Sequence, residues 1–239
     1  MRVARTRSTQ DVVLQAARDG ADEGFCCLAA EQTSGRGRQG REWVAPPGTA
    51  LLASVLLRRS ASVAPGIPFA AGLALVDVLG AACGVTAGLK WPNDVLVDRR
   101  KLAGILCEVA PGRPSVEELA LVLGVGVNLR VGELPEGINA VSLHTLVEQP
   151  PAVEDLLLRW SDALADRIAT LERGGIAAIL GDWRRSAVGL GEAVTVVGPA
   201  GLTEGLAVDV GEDGSLLVVA SGQTHRFLAG DVHLMTRAG

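Results

Sequence analysis

The chain has 239 residues, of which 48% are apolar and 21% charged, with a net charge of −5 at pH 7. That is enough for one ordinary domain plus a small one with a real core, and no stretch reads as low-complexity. The acidic balance argues against a general nucleic-acid coat, the arginines of the N-terminus precede no signal-peptide core, and apolar runs such as Ala50 to Leu57 have strand length, so a soluble cytoplasmic protein is expected.

Val3 to Thr6 predicts a short strand, after which Ser8 can cap a helix running to about Arg18. Phe25 to Glu31 reads as a buried strand. A Gly/Arg loop follows from Gln32 to Arg41, then Trp43, the Pro46-Pro47-Gly48 turn and a core strand from Ala50 to Leu57. Pro65 to Cys83 is apolar at helical spacing, with Gly84 near its end. Leu89 to Val97 and Lys101 to Val109 predict two strands joined by a hairpin at Asp98-Arg99-Arg100, and Leu119 to Leu129 a further strand after the Pro111 to Pro114 turn. A mixed sheet with helices on one side is expected. From Ala152 to about Arg185 the stripe Leu156, Trp160, Leu164, Ile168 and Leu171 predicts helices, interrupted at Gly174-Gly175.

After Gly189 the texture changes to short alternating strands at Ala193–Val197, Thr203–Val210, Leu216–Ala220 and Thr224–Leu228, separated by glycine turns. The fold class is therefore α+β: a mixed-sheet domain over residues 1–186 with packed helices, then a small β-barrel over 187–239.

Cys83 and Cys107 stand alone and no CxxC exists, while Cys26 and Cys27 would point to opposite faces of their strand, so these two read as small core residues. Of 22 basic residues only Lys90 and Lys101 are lysine. A chain that uses arginine elsewhere and keeps two lysines eleven positions apart suggests sites that require a compact ammonium. His144, His225 and His233 lie outside every motif and read as surface or packing residues.

The loop Gly35-Arg36-Gly37-Arg38-Gln39-Gly40-Arg41 contains G-x-G-x-x-G, but the dinucleotide fingerprint needs a helix to start inside the turn. Here Glu42, Trp43 and Pro46-Pro47 follow instead, and a kinase-type loop fails because Glu42 stands where valine is wanted. What remains is a glycine loop whose arginines can grip phosphate or carboxylate oxygens through paired N–H donors. Such a loop repels itself when empty and is expected to order around an anion. In Lys90-Trp91-Pro92-Asn93-Asp94, Pro92 interrupts ladder pairing and leaves an amide and a carboxylate at a strand end, suited to a nucleotide and its Mg²⁺. Lys101 opens the return strand, and Gly104 leaves room beside a flat ligand. In Gly124-Val125-Gly126-Val127-Asn128 two glycines on one strand face leave a flat slot ending in an amide.

Taken in order, STQ, EQTSGRGRQGREW, KWPNDVLVDRRKLAGIL and GVGVNL resemble bacterial biotin–protein ligases across residues 1 to about 186, and the β-rich tail resembles their SH3-like C-terminal domain. The resemblance implies a biotin site of Ser8, Thr9, Gln10, Gln32, Gly35, Arg36, Gly37, Arg38, Lys101 and Gly104. It implies an ATP site of Arg36, Arg38, Arg41, Trp43, Lys90, Asn93, Asp94 and Asn128, with Asp94 also on Mg²⁺. Arg38, Lys101 and Lys90 are the implied catalytic charges. Gln10 stands where the family has Asn. The implied reaction is ATP-dependent formation of biotinyl-5′-AMP and transfer to a lysine of a carboxylase's biotin carboxyl carrier domain, by a monomer or homodimer. A lipoate ligase or octanoyl transferase, which shares the fold, is the nearest rival. With Ser8 so close to Met1 there is no room for an N-terminal DNA-binding domain, so neither nucleic acid nor membrane is an expected partner.

Overall fold

The computed structural model describes residues 1–111, 118–130, 139–198 and 201–235. In chain order, β1 (Arg2–Thr6) leads through the Ser8 cap to α1 (Thr9–Arg18) and then β2 (Cys26–Gln32), β3 (Gly35–Arg36), β4 (Glu42–Trp43) and β5 (Ala50–Arg59). Helix α2 (Ile67–Cys83) is followed by β6 (Gly88–Lys90), β7 (Asp94–Val97), β8 (Arg100–Val109) and β9 (Leu119–Asn128). Next come α3 (Leu143–Leu146), α4 (Val153–Gly174) and α5 (Ala177–Ser186). The tail carries β10 (Ala193–Gly198), β11 (Gly201–Val210), β12 (Leu216–Ala220), β13 (Gln223–Phe227) and β14 (Asp231–Leu234).

Ser8 caps α1 as its sequence predicts, its hydroxyl accepting from the Gln10 backbone N–H at 3.3 Å. Helix α2 ends where Gly84 adopts the left-handed conformation at φ 63°, a turn that costs glycine nothing. The segment Ala64–Cys83 is longer than the apolar runs weighed from sequence, and by length and composition alone it could cross a membrane. Here it is a core helix: Ile67, Ala71, Leu75 and Leu79 are fully buried, and Trp160 of α4 donates its indole N–H to the Ala71 carbonyl at 3.1 Å.

Seven strands form one mixed sheet in the order β1-β2-β5-β9-β8-β7-β6, parallel only at β1–β2. Three expectations need correction. First, Leu89 to Val97 is not one strand. β6 and β7 are antiparallel to each other, with Lys90 opposite Asp94, because Pro92 has no N–H for a ladder and Trp91–Asn93 turn the chain back. Second, the helices do not share one side of the sheet. Helices α2, α4 and α5 cover one face, whereas α1 packs Val13 and Leu14 against Cys27, Leu56 and Val122 on the other. Strand alternation produces both faces. Third, the tail has a strand that alternation did not reveal, β14, and its five strands run β13-β12-β11-β10-β14, with no β13–β14 pairing to close a barrel among the described residues. The predicted Pro111 to Pro114 turn and the GPAG turn extend outside the described residues.

The apolar core does not stop at residue 187. Val194, Val196, Val210 and Val218 belong to the same buried cluster as Leu73, Leu123 and Trp183. Trp91 donates its indole N–H to Gly214 at 2.9 Å, and Arg184 pairs with Asp209 at 2.6 Å, so the tail is seated against α5 and the β6–β7 turn.

Candidate active site

The α1 face of the sheet continues past α1 into a cavity. Its floor comes from Leu52, Ser54, Gly104, Gly124 and Gly126, with Ser8 to Gln10, Gln32, the arginine loop, Lys90 to Asp94 and Lys101 around it and Asp231 to His233 of β14 at one side. A bulge aims Lys101 inward. Val95 pairs with Ala103 but Leu96 with Lys101, so Leu102 is an extra residue in β8. That puts Lys101 on the same face as Gly104, where regular alternation would have put it on the opposite one.

At one end is a neutral polar corner. Gln32 Oε1 accepts from the Thr9 backbone N–H at 2.7 Å, from Thr9 Oγ1 at 2.9 Å and from Ser8 Oγ at 3.5 Å. The single Thr9 hydroxyl proton is thereby used, so Ser54 Oγ donates to Thr9 Oγ1 across 2.8 Å. Gln10 gives its amide N–H groups to Glu108 Oε2 at 2.8 Å and to the Val122 carbonyl at 3.4 Å, while its buried Oε1 has no partner among the described residues. Gln32 therefore presents N–H donors, and Gln10 a bare acceptor oxygen. This complements a group that carries both a carbonyl and an N–H, such as a cyclic urea.

At the other end is charge. Asp94 lies between the two lysines of the chain, 2.6 Å from Lys101 Nζ and 3.0 Å from Lys90 Nζ. Burial pushes its carboxyl upward, but the two ammonium groups outweigh this and hold it below the ordinary aspartate range. Lys90 also donates to the Val232 carbonyl at 3.2 Å. Arg38 donates to Gly230 O at 3.2 Å; burial lowers its pKa, while Asp231 and Asp94 act to raise it. A guanidinium under these influences remains a cation at any working pH.

The arginines of the loop find acids elsewhere in the fold. Arg36 pairs with Asp11 of α1 and, at 3.3 Å, with Glu108 of β8, and Arg41 pairs with Asp231 of β14. The loop closes on itself as the short β3–β4 pair, with Arg38–Gly40 making a single tight turn rather than a helix start.

Trp43 occupies the slot predicted for a flat ligand. A side-chain carbon at Gly126 would come within 2.8 Å of its indole and one at Gly104 within 3.1 Å, and Lys101 Nζ sits 5.6 Å from the ring centre. Its indole N–H is buried without a partner among the described residues. Asn93 lines the cavity but donates its amide N–H to the Ile105 carbonyl at 2.8 Å, so it also braces β8.

Two predicted ligands, Gly35 and Asn128, do not border the cavity. Asn128 donates to the Lys101 carbonyl of the neighbouring β8 at 3.1 Å, and a side chain at Gly35 would strike the Trp43 carbonyl, so both lie against wall residues. Ser54, Glu108, Asp231 and His233 were missed; Glu108 does not line the cavity but contacts Gln10 and Arg36, which do. The first two gave only an alternation signal. Asp231 and His233 arrive from the tail through β14, a placement that no local pattern announces; His233, read as a surface or packing residue, is exposed at the cavity edge.

Residues 3–128 match the model of the biotin/lipoate A/B protein ligase family, and residues 189–235 that of the biotin protein ligase C-terminal domain. A biotin–[acetyl-CoA-carboxylase] ligase of Paracoccus denitrificans is 36% identical over 90% of this chain and 92% of its own length. Its counterpart in Mycobacterium tuberculosis is 37% identical over 96% and 86%. The solved structure of the Aquifex aeolicus biotin protein ligase in complex with biotin and ATP superposes with a TM-score of 0.83 at 25% identity, covering 98% of this chain and 97% of that one. With the polar corner, the lysine-flanked carboxylate and the arginine loop in one cavity, the chain belongs to the biotin/lipoate ligase family, in its biotin–protein ligase branch.

Proposed function

We propose that the cavity performs both half-reactions of protein biotinylation. Biotin's carboxylate attacks the α-phosphorus of ATP, forming biotinyl-5′-AMP as pyrophosphate leaves. The amine of an acceptor lysine then attacks the acyl carbon, giving the amide, AMP and a proton. The observation that carries this reading is one cavity with a urea-complementary corner of Gln10 and Gln32 at one end and Arg38, Lys90 and Lys101 at the other.

Neither step needs a nucleophile from the protein, since both nucleophiles belong to substrates. The chain has to align two anions and offset their repulsion. Ser8, Thr9, Gln10 and Gln32 would hold the ring of biotin, and Gly104 and Gly37 admit it closely. Lys101, Arg36 and Arg38 would serve the carboxylate and the α-phosphate between them. Arg41, Lys90 and Asn93 would face the remaining phosphates, with Trp43 leaving the glycine slot to cover the adenine and Gly35 and Asn128 acting through their neighbours.

Mg²⁺ fits as an ion carried by the nucleotide. Such ions take one or two carboxylates plus phosphate oxygens, and no cluster of three or more metal-binding side chains exists among the described residues. When bound, it would neutralise phosphate charge. Asp94 would reach it by giving up one lysine contact.

The acceptor is a biotin carboxyl carrier domain of acetyl-CoA carboxylase or a related carboxylase. The same proposal includes a cytoplasmic protein of two units, 1–186 and 187–239, working as a monomer or homodimer without nucleic acid or membrane. Incubation with radiolabelled biotin, ATP and a carrier domain should label the carrier lysine and release AMP; labelling by lipoate but not by biotin would overturn the reading.

A further inference from the structure

Glu108 has no role in the reaction as written, yet it touches both the polar corner and the arginine loop. Its carboxylate receives Gln10 Nε2 at 2.8 Å and Arg36 at 3.3 and 3.4 Å. Gln10 is only 3% exposed, lines the cavity, and lies with Oε1 against Gly124, where a side-chain carbon would come within 2.9 Å of that oxygen. An amide has two orientations. With its nitrogen toward Glu108 and Val122 O, both N–H groups meet acceptors; turned over, its oxygen would face a carboxylate and a carbonyl. A buried amide oxygen left unpaired is costly, so the orientation observed suits a ligand that brings a donor.

We propose that Glu108 is a positioning residue for specificity: it locks the Gln10 carboxamide with its oxygen toward the ligand, so that the site selects a ring that offers an N–H and discriminates against rings that cannot. The inference rests on the proposed biotin reading and deepens it. Biotin's ureido ring carries N–H donors, whereas the dithiolane of lipoate carries none. Because Glu108 also holds Arg36, the lock and the arginine loop share one anchor.

Biotin-dependent ATP–pyrophosphate exchange tests this with two ligands, biotin and biotin methylated on a ureido nitrogen, each of the two ring positions being made. In the wild type at least one methyl isomer should show a KM raised about a hundredfold, as expected for a lost buried hydrogen bond with a clash added. Glu108→Gln keeps the shape but lets the Gln10 amide turn over. It should raise the KM for biotin about tenfold, leave kcat within about threefold, and shrink the discrimination to about tenfold or less. Gln10→Leu should shrink it likewise, and if that variant does not fold, Glu108→Asp, which keeps the charge but withdraws it by one methylene, should give an intermediate ratio. Asp11→Asn releases the other anchor of Arg36 without touching Gln10 and should preserve the full discrimination. An unchanged ratio in Glu108→Gln, or an equal collapse in Asp11→Asn, overturns the inference while the biotin reading stands. A wild type without biotin-dependent exchange overturns both.

Discussion

Along β9, Leu121, Leu123, Val125 and Val127 face the helices α2, α4 and α5, while Val122, Gly124 and Gly126 face α1 and the cavity. The same alternation runs through β5, with Ala53 and Leu57 on the covered side and Leu52, Ser54 and Leu56 on the other. One face is filled with branched apolar side chains that leave nothing for a ligand to do. The other gives up that packing at Gly104, Gly124 and Gly126, and keeps buried polar atoms unpaired at Gln10 and Trp43. Stability and function therefore sit on opposite sides of a single sheet, and a substitution on either side should damage mainly one of them.

The widest separation should come from the charged end of the cavity. Arg38→Ala or Lys101→Ala should lower biotin-dependent ATP–pyrophosphate exchange by about two to three orders of magnitude, the effect of removing a preorganised charge aimed at a transition state. Arg38→Ala should leave the denaturation midpoint close to wild type, since the Arg38 side chain's hydrogen bond among the described residues is the one to Gly230, whereas Lys101→Ala also removes one of the two ammonium groups that hold Asp94 and should lower it moderately. Wild-type exchange in both variants would remove these residues from the reaction. The covered face should answer in the opposite way. Leu123 is fully buried, so Leu123→Ala should cost about 2–5 kcal/mol by denaturant unfolding. Exchange per folded molecule should remain close to wild type even though Gly124 is its neighbour; a large loss of specific activity would show that the two faces are coupled.

Much of this division was legible in the chain, for physical reasons that vary from residue to residue. The Ser8 cap, the Gly84 stop and the long strands β5, β8 and β9 follow from local rules, and so did their residues. The motif residues of the arginine loop and of Lys90 to Asp94 were recognisable because their types are chemically unusual for those elements. What local pattern could not carry is anything that depends on a distant partner. The pairing of Arg36 with Asp11 and Glu108, and of Arg41 with Asp231, was not foreseen because those acids lie far away in sequence, and Trp43 was not expected to fill the Gly104–Gly126 slot. The Leu102 bulge was likewise invisible, though it decides which face Lys101 joins.

Asp94 offers the smallest effect and the sharpest sign. Burial disfavours its charge, but Lys101 and Lys90 more than offset that, and its folded pKa lies below the ordinary value of 3.8. The unfolded chain therefore binds a proton more readily than the folded one in the acid window, and folding stability rises with pH there. The contribution is fully present above the ordinary aspartate pKa and is lost as pH falls through the depressed folded value. Asp94→Asn should accordingly be less stable than wild type at neutral pH by about 1–3 kcal/mol, between the ranges for exposed and buried ion pairs. The gap should hold steady down to the ordinary aspartate range and then close as the wild-type carboxylate is protonated. A gap that stayed constant to the lowest pH at which the protein folds would mean that Asp94 acts by shape and hydrogen bonding alone, and that the lysines on the open face do not depend on it for their placement.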